Sequence, residues 1–461
     1  MTFSALDSAL LGPLFATDAM RAVFSDEARV AAMVRAESAL ARAQAAAGLV
    51  PEGLATALDG LPHGALDPAA LGRGTALAGV PVIPFVKAVR RLLPPELEGH
   101  FHKGATTQDI ADTGLVLQLR AAFDLVEAEF APILAGLTRL AATHRETPCV
   151  GRTYGQQAAP ISFGYKAGIW ALGLAEVAQQ GHGLRERMLT VSLGGPVGTL
   201  AALGDRDEAV ARAFAAECGL NADPVAWHAR RGRIVETGAW LARLMGALAK
   251  FATDVVSLAS TEVGEVAEPY VPGRGGSSAM PHKRNPVSAT VILAAFAAAK
   301  GHAAILLDAM PAAHERPAGP WHAEWHALPQ LFGLASGALR EARALAEGLV
   351  VDPARMRANL DLTRGLLFAD SAAAHLTATL GGAASHALVE TAAGAVRDGG
   401  GDLRSVLDAM PETEGVDLGP AFDLAPSLKA ASRATDRALA EIARLVPASR
   451  DTPERATRPC P

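Results

Sequence analysis

Apolar residues recur every three or four positions along most of this chain, and short polar islands interrupt them. Leu241, Leu244, Leu248, Phe251, Val255 and Leu258 make one such stripe, on a single face of a helix predicted over roughly 234–266. The same pattern predicts long helices over about 109–146, with a bend at Pro132, and over 160–190, 287–310 and 322–349. An earlier helix starts after Ser25, an N-cap followed by Asp26 and Glu27, and stops at Gly48 with Pro51 just beyond. Residues 51–105 are richer in Gly and Pro and read as shorter helices. After "VVDPARM" (350–356) the helices shorten again, and "RDGGGDLR" breaks them.

Five long apolar stripes can be covered only by one another, so the expected fold is all-α. It divides into an N-terminal helical domain (1–105), a central elongated bundle (106–351) and a small C-terminal helical domain (352–461). The closing stretch "SRDTPERATRPCP" reads as a frayed tail.

Composition sharpens this picture. Half of the 461 residues are hydrophobic but only 5% are aromatic, so Ala, Leu and Val must build the core, which lets helices approach closely. The formal charge is −6 and no basic face or arm stands out, which argues against a nucleic-acid partner. Cys149, Cys218 and Cys460 lie too far apart for a CxxC metal site or a disulfide framework and suit a reducing compartment. The start "MTFSALDSALLGPLF" lacks the basic residues of a secretory signal. The longest apolar run, "VILAAFAAA" (291–299), is stopped by Lys300, too short to span a bilayer. A soluble, cytoplasmic protein with no membrane association is expected.

Four polar islands carry candidate chemistry. "HKGATTQD" (102–109) places His102, Thr106, Thr107 and Asp109 at the mouth of a long helix, where N–H groups and hydroxyls can cradle a carboxylate or simply cap the helix. "GRTYGQQAAP" (151–160) offers Arg152, Tyr154, Gln156 and Gln157 in a loop ahead of a helix opened by Pro160, fit for an anion or for solvent. "GGSSAMPHKRNP" (275–286) combines glycines for motion with Ser277, Ser278, Met280, His282, Lys283, Arg284 and Asn285. It lacks the Gly-x4-Gly-Lys-Ser/Thr spacing of a phosphate loop. "HERPAGPWHAEWH" (314–326) contains Arg316, and His322 and His326 flank Glu324. The HExxH order is missing, so a buried polar cluster is the better reading than a metal pair.

"GSSAMPHKRNP" resembles the signature of the fumarase/aspartase superfamily, and "GATTQD", "GRTYGQQ" and "LGGPVGT" (193–199) follow the order and spacing of that family's other blocks. The resemblance spans nearly the whole chain. It implies three mostly helical domains and a homotetramer built on a twenty-helix bundle, with active sites shared between subunits. It implies that Ser277 exchanges a proton α to a carboxylate, while Lys283 and Asn285 bind and stabilise the anion. His102, Thr106, Thr107, Arg152, Tyr154, Gln156, Ser278, Met280 and Arg316 are the expected substrate-binding residues.

Two departures narrow the chemistry. Superfamily members that expel amines read Arg-Thr-His in the second block and carry a Glu thirteen residues after the serine. Here those positions are Tyr154 and Thr290. A departing amine needs a positioned acid, whereas a carboxylate leaves as a stable anion. The sequence is therefore most similar to the cycloisomerase branch of the superfamily, which closes a lactone on a carboxymuconate in protocatechuate catabolism. "PVIPFVKAVRRL" (81–92) and "HERPAGPWHAEW" support that branch. In this reading a substrate carboxylate adds to the alkene, Ser277 delivers the proton, and neither metal nor organic cofactor is required. The alternatives are an adenylosuccinate lyase-like β-elimination enzyme and a non-catalytic bundle protein. The complete Ser277–Lys283–Asn285 loop argues against the second.

Overall fold

The computed structural model describes residues 3–62 and 64–446. The expected frayed tail and Cys460 lie outside the described residues. Helices dominate, in agreement with the all-α expectation. The chain forms two compact units. One takes in the chain up to Phe130 together with Val177–Ala249 and Val291–Glu341. The other holds Ala131–Glu176, Lys250–Thr290 and the chain from Ala342 onward.

In the first unit α1 (Asp26–Ala46) begins as predicted, with the Ser25 hydroxyl accepting from the Ala28 N–H. The shorter helices α2 (Gly53–Asp59), α3 (Pro68–Ala78) and α4 (Val82–Arg90) follow, then α5 (Thr107–Ala128). Met33 and Leu40 of α1 pack with Leu54, Leu58, Phe85, Val89, Ile110 and Leu117 in one core.

The predicted single helix over 109–146 is two helices. α5 stops at Ala128 and α6 runs Phe130–Thr143. Pro132 has no N–H to offer the Ala128 carbonyl four residues back, so the break falls before the proline rather than at it.

The second polar island is also not a loop. β1 (Pro148–Thr153) and β2 (Gln156–Ser162) pair antiparallel, with Val150 opposite Pro160. The pair has two strands only, so the missing Pro160 N–H costs no ladder bond on an outer edge. The helix expected to open at Pro160, α7, begins at Phe163 and ends at Met188, and the Ser162 hydroxyl accepts from the Tyr165 N–H.

After α8 (Asp207–Cys218), α9 (Gly232–Leu258) ends eight residues before its predicted stop. There "ASTEVG" turns the chain, with the Ser260 hydroxyl bonded to the Ser257 carbonyl and Gly264 at φ 63°. β3 (Val266–Ala267) pairs with β4 (Val350–Val351). Between them lie α10 (Val287–Ala309) and α11 (Pro320–Gly348), close to their predicted limits. Taken as a whole, α10 is long and apolar enough to cross a membrane, although its uninterrupted apolar run is short. Its most apolar window has a mean hydropathy of 1.8 and is only 28% buried. The C-terminal helices α12 (Pro353–Leu360), α13 (Ala369–Leu380), α14 (Gly382–Arg397) and α15 (Ala425–Leu445) complete the second unit, with a small core around Leu376, Val389, Leu403 and Leu407.

Candidate active site

The first unit builds a cradle at the start of α5. Asp109, wholly buried, accepts four hydrogen bonds: from the N–H groups of Thr106, Gly194 and Gly195 and from His228 Nε2, all at 2.7–2.9 Å. One carboxylate thus ties "GATTQD" to "LGGPVGT" and caps the helix, the capping role that the sequence allowed. Thr106 and Thr107 are bridged by Arg316, whose Nη1 and Nη2 donate to their hydroxyl oxygens at 2.8 and 3.0 Å. Because each hydroxyl oxygen accepts from a guanidinium, each O–H stays free to donate, and the neighbouring cation polarises it. Two such hydroxyls beside a helix N-terminus suit a carboxylate.

His102, four residues before Thr106, stands at φ 62° with Nδ1 2.5 Å from Glu37 Oε1. Burial disfavours its charged form, but Glu37 and, more weakly, Asp109 outweigh this and hold the His102 pKa above its ordinary value, with Arg90 opposing them.

The second unit carries the other candidates on two elements. The hairpin β1–β2 turns at Tyr154 and Gly155, with φ of 51° and 77°. Two successive positive φ values in a two-residue loop are the type I′ arrangement, where Gly155 is at ease and Tyr154 bears a cost of about 1–2 kcal/mol. The Tyr154 side chain stands fully exposed at this tip, and Gln156 beside it is exposed too. Arg152 lies inside the hairpin and is bound to buried Glu265, so its charge is already paired within the fold.

The signature loop is pinched at its neck. The Asn285 N–H donates to the Gly275 carbonyl at 2.9 Å, and Gly276 bridges Arg284. A side chain at Gly275 would bring its Cβ to 2.6 Å from the Asn285 carbonyl oxygen at a φ of +68°, so only glycine closes this neck. The Arg284 guanidinium stacks on the Tyr270 ring at 5.0 Å. At the tip the Ser277 oxygen accepts from the Met280 N–H at 3.2 Å, leaving its O–H free, while Ser278, Met280, Lys283 and Asn285 are exposed.

Thr290, at the position of the amine lyases' Glu, donates its hydroxyl to the Pro286 carbonyl of its own helix. The start of α10 is instead capped by Glu268, which accepts from the Ser288 and Ala289 N–H groups.

Thr106, Thr107 and Arg316 are therefore in direct contact, with His102 close by in sequence. Arg152, Tyr154, Gln156, Ser277, Ser278, Met280, Lys283 and Asn285 belong to the hairpin and loop of the second unit. In the fourth island Glu324 is turned to Arg231, fully buried with Asp112, and His322 Nε2 lies 3.1 Å from the Gly79 carbonyl. Of His322, Glu324 and His326 only Glu324 is buried, whereas His322 is partly exposed and His326 exposed, so the expected buried cluster forms from Glu324, Arg231 and Asp112 without the two histidines. Among the described residues no group of three or more His, Cys, Asp or Glu is placed to hold a metal ion. Sequence reasoning missed Glu37 and His228. The signal was present for Glu37, a charged residue on the apolar stripe of Met33 and Leu40.

A model of a family described as lyase matches residues 14–301. The 3-carboxy-cis,cis-muconate cycloisomerase of Pseudomonas putida is 46% identical over 386 residues, 83% of this chain and 91% of that protein. Nitrosuccinate lyase of Streptomyces davaonensis is 44% identical over 458 residues, 96% of each chain. The solved structure of the 3-carboxy-cis,cis-muconate lactonizing enzyme from Pseudomonas putida superposes with a TM-score of 0.88 at 42% identity, covering 95% of this chain and 100% of that one.

Proposed function

The chain belongs to the lyase family of the fumarase/aspartase superfamily, and we propose that it is an enzyme cycloisomerising 3-carboxy-cis,cis-muconate to 4-carboxymuconolactone in protocatechuate (β-ketoadipate) catabolism. The observation that carries this reading is a complete proton-transfer loop without an amine lyase's acid couple. Tyr154 projects from a turn, and the Thr290 hydroxyl is spent on its own helix. The identity to muconate cycloisomerases over most of the chain supports the same reading.

In the proposed mechanism a substrate carboxylate oxygen attacks the alkene carbon and forms the lactone C–O bond. The π electrons move into the adjacent carboxylate, which becomes an enolate-like dianion. Lys283, Asn285 and the Arg316-polarised hydroxyls of Thr106 and Thr107 stabilise that charge, and Ser277 delivers the proton to the carbon. His102, Tyr154, Gln156, Ser278 and Met280 bind the rest of the substrate, while Arg152, paired with Glu265, holds the hairpin that carries Tyr154 and Gln156. Nucleophile and electrophile lie in one molecule, so no metal or organic cofactor is called for. The same reading has three helical domains, a homotetramer with shared sites and a cytoplasmic location. The exposed apolar face of α10 supports the assembly.

A second reading is favoured by the 44% identity to nitrosuccinate lyase over 96% of the chain. Expulsion of a nitro group as a weakly basic anion also needs no acid couple. Incubation with 3-carboxy-cis,cis-muconate, nitrosuccinate and adenylosuccinate, each followed by absorbance, separates the readings. Consumption of carboxymuconate with lactone formation is expected. Turnover of nitrosuccinate alone moves the protein to the elimination branch, and turnover of adenylosuccinate overturns the leaving-group argument.

A further inference from the structure

Glu37 is a carboxylate in the wrong surroundings for a merely structural residue. It sits on the buried stripe of α1 between Met33 and Leu40 and is 1% exposed. An ionised carboxylate there costs several kcal/mol unless it is paired, about the scale of a whole domain's net stability. An apolar residue would fill the position at no such cost. Its bonded partner is His102, at 2.5 Å from Nδ1.

The loop that carries His102 is fastened to the same helix twice more. Gln44, one heptad after Glu37 and also buried, donates Nε2 to the Lys103 carbonyl at 2.6 Å. Lys103 Nζ reaches the Leu49 carbonyl just past the helix end. His102 and Gly104 hold positive φ angles of 62° and 72°, so this short turn keeps a strained histidine in one place. With Nδ1 committed to Glu37, Nε2 is the ring nitrogen without a protein partner, on a side chain 14% exposed. Four residues on lies Thr106 of the carboxylate cradle.

We propose that Glu37 is a positioning residue that fixes the His102 ring, so that Nε2–H is presented to a carboxylate of the substrate beside Thr106 and Thr107. This rests on the functional reading above. The pair also sets the charge. Glu37 on α1 and Asp109 on α5 favour the imidazolium, whereas burial and Arg90 on α4 disfavour it. When protonated, the ring is a cationic donor for one of three substrate carboxylates, and charge-assisted hydrogen bonds of this kind are about twice as strong as neutral ones. The sign follows. Binding is full where His102 is protonated and is lost as pH rises through its raised pKa.

The test compares Glu37→Gln, Glu37→Asp and His102→Gln with the unaltered enzyme, by kinetics on 3-carboxy-cis,cis-muconate across pH and by NMR titration of the His102 ring. Glu37→Gln is expected to raise KM about tenfold near neutrality with a smaller change in kcat. The decline of kcat/KM is expected to begin at lower pH, with a matching fall in the His102 titration midpoint. Glu37→Asp, which keeps the charge, should recover most of both. A purely structural Glu37 would lower the melting temperature without moving either profile, and that outcome overturns the proposal. If Glu37→Gln does not fold, His102→Gln with an unchanged KM overturns it instead. If the unaltered protein leaves carboxymuconate untouched, the functional reading fails separately. The ring titration still decides the coupling, and a His102 midpoint unmoved by Glu37→Gln defeats it.

Discussion

Arg152 gives both terminal nitrogens of its guanidinium to Glu265, at 3.1 and 2.5 Å, and Glu265 is fully buried. Asn359 donates to the same carboxylate at 2.8 Å, so the pair fastens the hairpin to α12 and β3 within the second unit. Glu265→Gln strands a largely buried guanidinium and should cost about 3–5 kcal/mol in urea unfolding. Arg152→Lys should lose much of this too, because an ammonium cannot make the forked contact. Activity lost in Arg152 variants therefore has to be compared with their unfolding midpoints. Unchanged stability in Glu265→Gln would remove the pair from the fold's support.

Ser277→Ala should lower turnover by about two orders of magnitude or more while unfolding as the parent does. Ser277 accepts only from amides of its own loop, so its stability contribution is small. Near-normal turnover would take Ser277 out of the mechanism.

Installing the amine lyases' couple, as Tyr154→His with Thr290→Glu, should not improve lactonisation. The start of α10 already holds the Glu268 carboxylate, and a second one would repel both Glu268 and the substrate. Tyr154→Phe should raise the activation free energy by less than about 1.5 kcal/mol, the size of one neutral hydrogen bond. A thousand-fold fall in Tyr154→Phe would assign the phenol a proton-transfer role.

Acid should weaken the first unit through Asp223. Burial pushes its pKa up, but hydrogen bonds from Arg230, the Val225 N–H and Arg233 outweigh burial and hold it below the ordinary carboxylate range. A lowered folded pKa stabilises the protein above the unfolded value of about 4, and that share is lost as pH falls through the folded value. Asp223→Asn should therefore be less stable than the parent near neutrality, and the gap should close below about pH 4. A gap that does not change with pH would mean the charge contributes nothing.

Assembly can be tested on α10, where Ala294, Ala297, Ala298, Gly301, Ala304 and Leu307 are exposed despite the helix's apolar character. Light scattering should give about four times the 47.4 kDa chain mass. Ala298→Glu should reduce that mass and the activity together while the helical circular dichroism is retained. An active monomer would dismiss both the tetramer and the shared site.

Periodicity and punctuation alone placed most of the long helices, though not every end, because apolar spacing and Pro, Gly and Ser signals act within a few residues. Ser25 caps α1, and α10 and α11 run close to their predicted limits. The order of polar blocks likewise identified the superfamily, since each block is a contiguous stretch. What escaped was whatever depends on distant partners. The β1–β2 hairpin has no alternating apolar pattern, and its turn uses Tyr-Gly where Asn-Gly would have announced it. Asp109 looked like a cap, yet it also gathers Gly194, Gly195 and His228 from more than eighty residues away. Glu37 drew no notice within its apolar stripe, and only folding placed His102 against it. Local spacing can say where a polar residue is buried. Only the tertiary structure supplies the partner that makes its burial affordable and its chemistry specific.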